Sequence, residues 1–194
     1  MIKIFITIFT VFFTTCSLFA QVEPPSKRLD HGGFGSFDMS IMSLNNKTAV
    51  YTGGGGGFII RDFRIGVFFS GLTNTYSQRD TSNVTFKLGY SQGGLWLSYP
   101  FYTKKDYHPI IEVKMHYGNM RLINTNWHVR DNASFYGFSA AFGLEYKLGE
   151  VFFVAGGIKY CHSYLLKTME DLFDNDYFNS IGMYISFRLG TFNY

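Results

Sequence analysis

The sequence predicts an all-β fold: an eight-stranded antiparallel transmembrane β-barrel, built as an up-and-down meander after a cleaved signal peptide. Composition gives the first indication, because 20% of the 194 residues are aromatic and only 16% are charged. An ordinary soluble domain carries about 25% charged residues. The second indication is an alternation of apolar and polar residues with period two, which is typical of strands. The third is an N-terminal segment with the features of an export signal.

Residues 1–20 have the layout of a secretory signal peptide. Lys3 supplies a positive charge, residues 4–18 are apolar and uncharged, and the small residue Ala20 ends the segment. An uncleaved membrane anchor is the alternative, but about fifteen apolar residues fall short of the roughly twenty that a helical span needs. A lipoprotein signal fits less well, because Phe-Thr-Thr precedes Cys16 instead of a run of small residues. Cleavage after Ala20 is therefore expected.

The mature chain is expected to hold a periplasmic tail at residues 21–32 and a barrel at residues 33–194. Its only cysteine is Cys161, which excludes an intrachain disulfide. A closed sheet is then the expected source of stability for an exported chain so rich in glycine. No uncharged apolar run approaches eighteen residues after Ala20, so helical membrane spans are not expected.

The alternation is clearest near the C-terminus, where Ile181, Met183 and Ile185 share one face and Tyr184 and Ser186 lie on the other. Similar patterns define further strands. In a membrane barrel the apolar face meets lipid and the polar face lines the interior. The predicted strands are 34–44, 48–60, 63–74, 84–101, 107–122, 135–147, 151–164 and 178–192.

Two of these segments are irregular. In 84–101 the apolar parity changes from Val84 and Leu88 to Leu95 and Leu97. A β-bulge near residues 92–94 would shift the register by one and explain the change. The middle of 48–60 is mostly glycine, so its facing stays open.

The connections between strands alternate in length. Short ones, at 61–62, 102–106 and 148–150, follow even-numbered strands. Longer ones, at 75–83, 123–134 and 165–177, follow odd-numbered strands, and the short residues 45–47 are the exception. Outer-membrane barrels have short periplasmic turns and longer external loops. Both termini are therefore expected in the periplasm.

Glycine-rich and aromatic motifs in 32–35, 53–57, 89–94 and 185–192 resemble those of a known family. The chain is similar, over residues 32–194, to the small outer-membrane β-barrel proteins of Gram-negative bacteria with an OmpA/OmpX-like shape. The resemblance implies location in the outer membrane, with outer-membrane lipid and lipopolysaccharide as partners. Family members also end in an aromatic-x-aromatic signal for the barrel-assembly machinery. Phe192 and Tyr194 match it, with Tyr in place of the commoner terminal Phe.

Charged residues on the inward face are expected to form an ion-pair network that fills the barrel. Eight strands enclose an interior just wide enough for side chains, and buried charges need partners. An ion path is the functional alternative. The residues of the predicted network are Asp38, Arg64, Glu112, Lys114, Glu145, Lys147, Lys159 and Arg188.

Other chemistry is weakly indicated. The run Gly53–Gly57 suggests a phosphate loop, but the Lys-Ser/Thr pair and the helix are missing. His116, His162 and Ser163 raise the question of a lipid-modifying enzyme. Neighbouring residues on a strand face opposite sides, which argues against pairing His162 with Ser163, or with Cys161 at a metal. The acidic residues of 165–177 do not have the spacing of a known calcium loop.

We therefore expect a non-catalytic outer-membrane barrel with a structural or surface-interaction role, no catalytic or metal site and no cofactor. A narrow channel and a lipid A-modifying enzyme are the alternatives. The formal net charge of +3 is too small and scattered to indicate a nucleic-acid partner, and the sequence names no protein partner. Contacts through the longer loops would involve Tyr76, Trp127, His128 and Phe173.

Overall fold

The computed structural model describes residues 31–44, 47–74, 76–79, 85–102, 105–124, 129–166 and 179–191. Within these ranges the chain forms nine strands. They are β1 (His31–Leu44), β2 (Lys47–Ile60), β3 (Phe63–Leu72), β4 (Tyr76–Arg79), β5 (Thr85–Pro100), β6 (Tyr107–Asn124), β7 (Val129–Lys147), β8 (Phe152–Leu165) and β9 (Ser180–Gly190). These residues contain no helix that is long and apolar enough to cross a membrane.

The strands close into a single antiparallel barrel. Each strand pairs with its neighbours in the chain, except that β3 and β4 do not pair with each other, and β1 also pairs with β9. β3 and β4 both pair with β5, so together they count as one interrupted strand of the barrel. The barrel therefore has eight strand positions, which confirms the predicted eight-stranded up-and-down meander.

The two ends of the barrel differ. The turn end carries residues 61–62, 101–106 and 148–151, together with the start of β1 and the end of β9. Arg61 and Tyr102 adopt left-handed φ angles of 57° and 55° there, as tight turns require. The opposite end, called the loop end below, carries the connections that follow β1, β4, β6 and β8.

Side chains along the strands alternate between the outside and the inside of the barrel. Ile181, Met183 and Ile185 are exposed on the outside of β9, whereas Tyr184 and Ser186 are buried inside. The same division appears on the other strands whose side chains are described, so the exterior is a largely apolar band and most of the charged side chains within it point inward. This is the arrangement of a barrel whose exterior meets hydrocarbon. In β2, whose facing the sequence left open, Tyr51 and Ile59 point inward and Phe58 points outward.

The predicted bulge at residues 92–94 is wrong. β5 pairs with β6 in an unbroken register from Phe86 to Pro100. Leu88 and Tyr90 are buried inside the barrel, on the same face as Trp96. The apolar parity changes because the interior near the loop end is itself apolar, so both faces of β5 carry large apolar residues in different stretches. A register irregularity lies instead between Leu122 and Ile123 on β6.

The interruption between β3 and β4 is closed by a side chain. The ladder between β2 and β3 ends at Tyr51 and Leu72. Beyond it, the backbone N–H of Val50 donates to Asn74 Oδ1 at 2.8 Å, and Asn74 Nδ2 donates to the carbonyl of Thr48 at 2.9 Å. The amide of Asn74 thus takes the place of a strand neighbour for the loop end of β2.

Candidate functional site in the barrel interior

Glu145 is the centre of a buried ion-pair network in the turn-end half of the barrel. Its two carboxylate oxygens accept hydrogen bonds from Arg64 at 2.5 and 2.8 Å. Arg188 Nη1 donates to the same carboxylate at 2.6 Å, and His108 Nε2 lies 2.9 Å from it. The side chains of Arg64, Glu145 and Arg188 are fully buried. Arg64, Arg188 and His108 together stabilise the Glu145 carboxylate, whose negative charge would otherwise be costly to bury.

The network continues towards the middle of the barrel. Arg188 also pairs with Glu112 through Nη2, and Lys114 Nζ donates to Asp38 at 2.7 Å. The Lys114 ammonium lies 4.2 Å from the ring centroid of Trp96, within the range of a cation–π contact. Charge pairing and aromatic packing are therefore combined in one layer.

The structure brings Asp38, Arg64, Glu112, Lys114, Glu145 and Arg188 together in ion pairs. Lys147 and Lys159 lie on the inward face, but no carboxylate among the described residues is within 4.0 Å of either ammonium. His108 was missed by the sequence analysis. Its even position in β6, directly opposite Glu145, is the signal that places it inside.

Lys159 faces a small cavity between the two halves of the interior. Asp38, Glu112, Lys114 and Tyr184 also line it. Its volume is about 20 Å³, enough for about one water molecule. Asp38 Oδ1 and the Tyr184 hydroxyl are buried there and have no hydrogen-bond partner among the described residues, so the cavity is suited to a bound water.

Apolar layers fill the remaining interior, which the sequence analysis expected to be mainly polar. Near the turn end the cluster consists of Phe34, Ile59, Phe68, Trp96 and Phe153. A larger cluster occupies the loop-end half, and a cavity of about 10 Å³ lies against it. The members of the loop-end cluster are Met42, Leu44, Ala49, Tyr51, Leu88, Tyr90, Met120, Leu122, Ala133, Phe135 and Cys161.

Glycines make room for the large inward side chains. A Cβ built on Gly118 would lie 2.3 Å from Phe135 Cζ, and one on Gly143 would lie 2.7 Å from the Tyr184 hydroxyl. The run Gly53–Gly57 lies within β2, where a Cβ on Gly55 would lie 3.0 Å from that of Phe68. The run is followed by strand rather than by a helix, so it has packing neighbours and no phosphate-loop geometry.

His116 and Ser163 form a hydrogen-bonded pair that the sequence analysis did not join. His116 Nε2 lies 3.0 Å from Ser163 Oγ, and Cys161 Sγ lies 3.8 Å from the same oxygen. A nucleophilic serine needs a base that is itself oriented by a third group. Here the His116 Nδ1 is buried without a partner, and the two residues are 4% and 1% exposed. Within the part of the chain that the structure describes, the pair therefore has no orienting group, and both side chains are buried.

His162 lies on the opposite face from Cys161 and Ser163, as the alternation predicts. Its ring contacts Tyr164 with centroids 4.4 Å apart, and Nδ1 hydrogen-bonds with Asn179 Oδ1. Within the described ranges, no three His, Cys, Asp or Glu side chains are placed to share a metal ion.

Several sequence predictions lie outside the described residues. They are the signal peptide at 1–20, the assembly signal of Phe192 and Tyr194, most of the acidic segment 165–177, and the loop residues Trp127, His128 and Phe173. The described chain begins at His31, already in β1, two residues before the expected start of the barrel at 33.

Fold and facing together define the class: a closed eight-stranded antiparallel β-barrel with an apolar exterior and a packed, partly charged interior. The chain shares this fold with Neisserial surface protein A, with a TM-score of 0.62 and 13% identity over 84% of this chain and 98% of the other. The N-terminal β-barrel domain of Pseudomonas aeruginosa OprF is also similar, with a TM-score of 0.58 and 12% identity over 82% of this chain and 96% of that domain. No protein-family model and no curated protein sequence matches the chain.

Proposed function

We propose that this chain is a non-catalytic integral protein of the bacterial outer membrane, exported through the signal peptide at residues 1–20. Its barrel would serve as an anchor that is closed to ions and presents the loop end to the cell exterior. This proposal gives it a structural or surface-interaction role in the envelope.

The exterior supports the membrane location. Large apolar side chains such as Phe58, Val67, Phe69 and Met183 are more than half exposed, and they cover the barrel between its two ends. In water such a surface would form an apolar patch far larger than soluble monomers tolerate. A bilayer removes that cost because these side chains then contact hydrocarbon.

The filled interior carries the proposal of a closed, non-catalytic barrel. The pairs of Glu145 with Arg64 and Arg188 span the turn-end half, and Trp96 packs beside them. The apolar cluster around Phe135 fills the loop-end half. An ion would have to pass both layers, and the two cavities between them have volumes of only about 20 and 10 Å³.

Reconstitution into planar bilayers and liposomes tests the closed barrel. We expect no steady, selective conductance from the wild-type protein and a heat-modifiable gel band as the sign of a folded barrel. As a positive control, Phe135→Ala and Trp96→Ala together should introduce leakage, because they remove side chains from both layers. A selective conductance from the wild type would replace the proposal with a narrow channel.

The His116–Ser163 hydrogen bond is the observation that favours the second candidate, a lipid A-modifying enzyme. Lipid A mass spectrometry of cells with and without the protein tests it. We expect an unchanged acyl pattern because both side chains are buried. A changed pattern that disappears in Ser163→Ala and in His116→Ala but persists in His162→Ala would establish the enzyme and identify His116, rather than His162, as the base.

A further inference from the structure

Lys159 points into the barrel but forms no ion pair with a described carboxylate. Asp38 and Glu112 line the same cavity as Lys159, and both are already paired, with Lys114 and Arg188 respectively. No carboxylate oxygen among the described residues lies within 4.0 Å of the Lys159 ammonium. An ammonium inside a protein is costly without hydrogen-bond acceptors. The interior is therefore expected to supply Lys159 with an acceptor of another kind.

The strand register places Lys159, Tyr184 and Asp38 in a diagonal row across β8, β9 and β1. Tyr184 pairs with Gly157, two residues before Lys159, and with Ser40, two residues after Asp38. Diagonal neighbours on one face of a sheet have Cα atoms about 7–8 Å apart. Tyr184 therefore lies between Lys159 and Asp38 on one side of the barrel interior.

These three side chains line the cavity of about 20 Å³, called the central cavity below. Tyr184 is only 8% exposed, and its hydroxyl has no hydrogen-bond partner among the described residues. The same holds for Asp38 Oδ1, although Oδ2 of that carboxylate accepts from Lys114. The cavity has room for about one water-sized ligand. A single small ligand there would be in reach of several polar groups that lack a partner.

The lining of the central cavity distinguishes among small ligands. Lys114 and Lys159 line it and would repel a metal cation. The carboxylates of Asp38 and Glu112 line it as well and would repel an anion. A water molecule suits both signs of charge, because it can accept from an ammonium and donate to a carboxylate at the same time. The mixed lining therefore favours water.

We propose that one ordered water molecule binds in the central cavity and bridges Lys159 to Asp38. The water accepts a hydrogen bond from the Lys159 ammonium, donates one to Asp38 Oδ1 and hydrogen-bonds with the Tyr184 hydroxyl. Lys159 thereby joins the interior ion-pair network without a direct carboxylate partner. The bridge also connects β8 to β1, two strands that do not pair with each other. Because the site lies inside the barrel, it does not depend on the role proposed for the exterior.

Crystals of the full mature protein grown with sodium bromide test the occupant, because bromide has an anomalous signal that water lacks. The wild type should show one peak without anomalous signal, about 3 Å from Lys159 Nζ, Asp38 Oδ1 and Tyr184 Oη. An anomalous peak in the cavity would overturn the proposal in favour of a bound anion. A cavity without density would overturn it outright. The heat-modifiable band is checked first, so that a misfolded barrel is not mistaken for an empty site.

A mutant cycle tests the bridge in solution, with the equilibrium constant of urea unfolding in detergent as the readout. Tyr184→Phe is introduced into the wild type, into Lys159→Met and into the matched control Lys147→Met. Lys147 is also an inward lysine, but it does not line the central cavity. Loss of the hydroxyl should change the constant about fivefold less in Lys159→Met than in the other two backgrounds, because the water has then already lost a partner. Equal changes in all three backgrounds would overturn the proposed bridge.

Discussion

Arg64 and Glu145 are joined by two hydrogen bonds inside the barrel, at 2.5 and 2.8 Å, although 81 residues separate them in the sequence. They project from β3 and β7, which are not neighbours in the sheet. The pair therefore connects distant walls of the barrel across its interior. Arg188 on β9 and His108 on β6 contact the same carboxylate, so Glu145 connects four strands, β3, β6, β7 and β9.

Replacement of Glu145 with Ala should be strongly destabilising. It would leave the Arg64 and Arg188 guanidinium groups buried without their shared carboxylate, at a cost of about 3–5 kcal/mol in the free energy of unfolding. Urea unfolding in detergent, followed by the heat-modifiable gel shift, measures the change. The control is Glu150→Ala at the exposed turn end, which should leave stability nearly unchanged. An equally mild effect of both substitutions would show that the buried pair contributes little.

Replacement of Ile185 with Arg tests the facing of β9. Ile185 is exposed on the apolar exterior, so an arginine there should cost about 2–4 kcal/mol near the bilayer midplane. Ile185→Val keeps an apolar side chain on the lipid face and serves as the control. Spin labels placed one at a time along 181–189 should report lipid contact at odd positions only. Lipid contact at even positions would mean that the inward and outward faces of β9 are the reverse of those described.

Much of the fold follows from local pattern. The period-two alternation fixes which side chains leave the barrel, because neighbouring residues on a strand always point to opposite faces. Ile185 and Ser186 are therefore placed correctly from sequence alone. The alternation fails where both faces are apolar, and this is why the parity change between Leu88 and Leu95 suggested a bulge that β5 does not contain.

The interior partners could not be predicted in the same way. Contacts across a barrel depend on the tilt and stagger of all its strands. Arg64 and Glu145 meet only once these are set, and nothing in the sequence around either residue indicates the other. The hydrogen bond between His116 and Ser163 arises in the same way, from strands β6 and β8 that do not pair.

Replacement of Gly118 with Val should destabilise the loop-end half of the interior. Its Cβ would lie 2.3 Å from Phe135 Cζ and 2.5 Å from the backbone oxygen of Ser91. Overpacking of this kind costs about 1–3 kcal/mol. The matched control is Gly149→Val, because nothing lies within 4 Å of a Cβ at Gly149. Phe135→Leu should relieve only part of the loss in the double variant, since the clash with the Ser91 oxygen remains.

Replacement of Asn74 with Ala should loosen the loop end of β2 while the rest of the barrel stays folded. The change removes the acceptor for the Val50 N–H and the donor to the Thr48 carbonyl. Each lost hydrogen bond costs about 0.5–1.5 kcal/mol. Hydrogen exchange of the Val50 amide should accelerate, whereas that of Gly55, which lies within the β2–β3 ladder, should not. Asn74→Asp separates the two bonds, because its carboxylate still accepts from Val50 but cannot donate to Thr48. It should therefore preserve most of the protection at Val50. Equal loss in both variants would mean that the Val50 amide is protected by the bond to Thr48 rather than by its own acceptor.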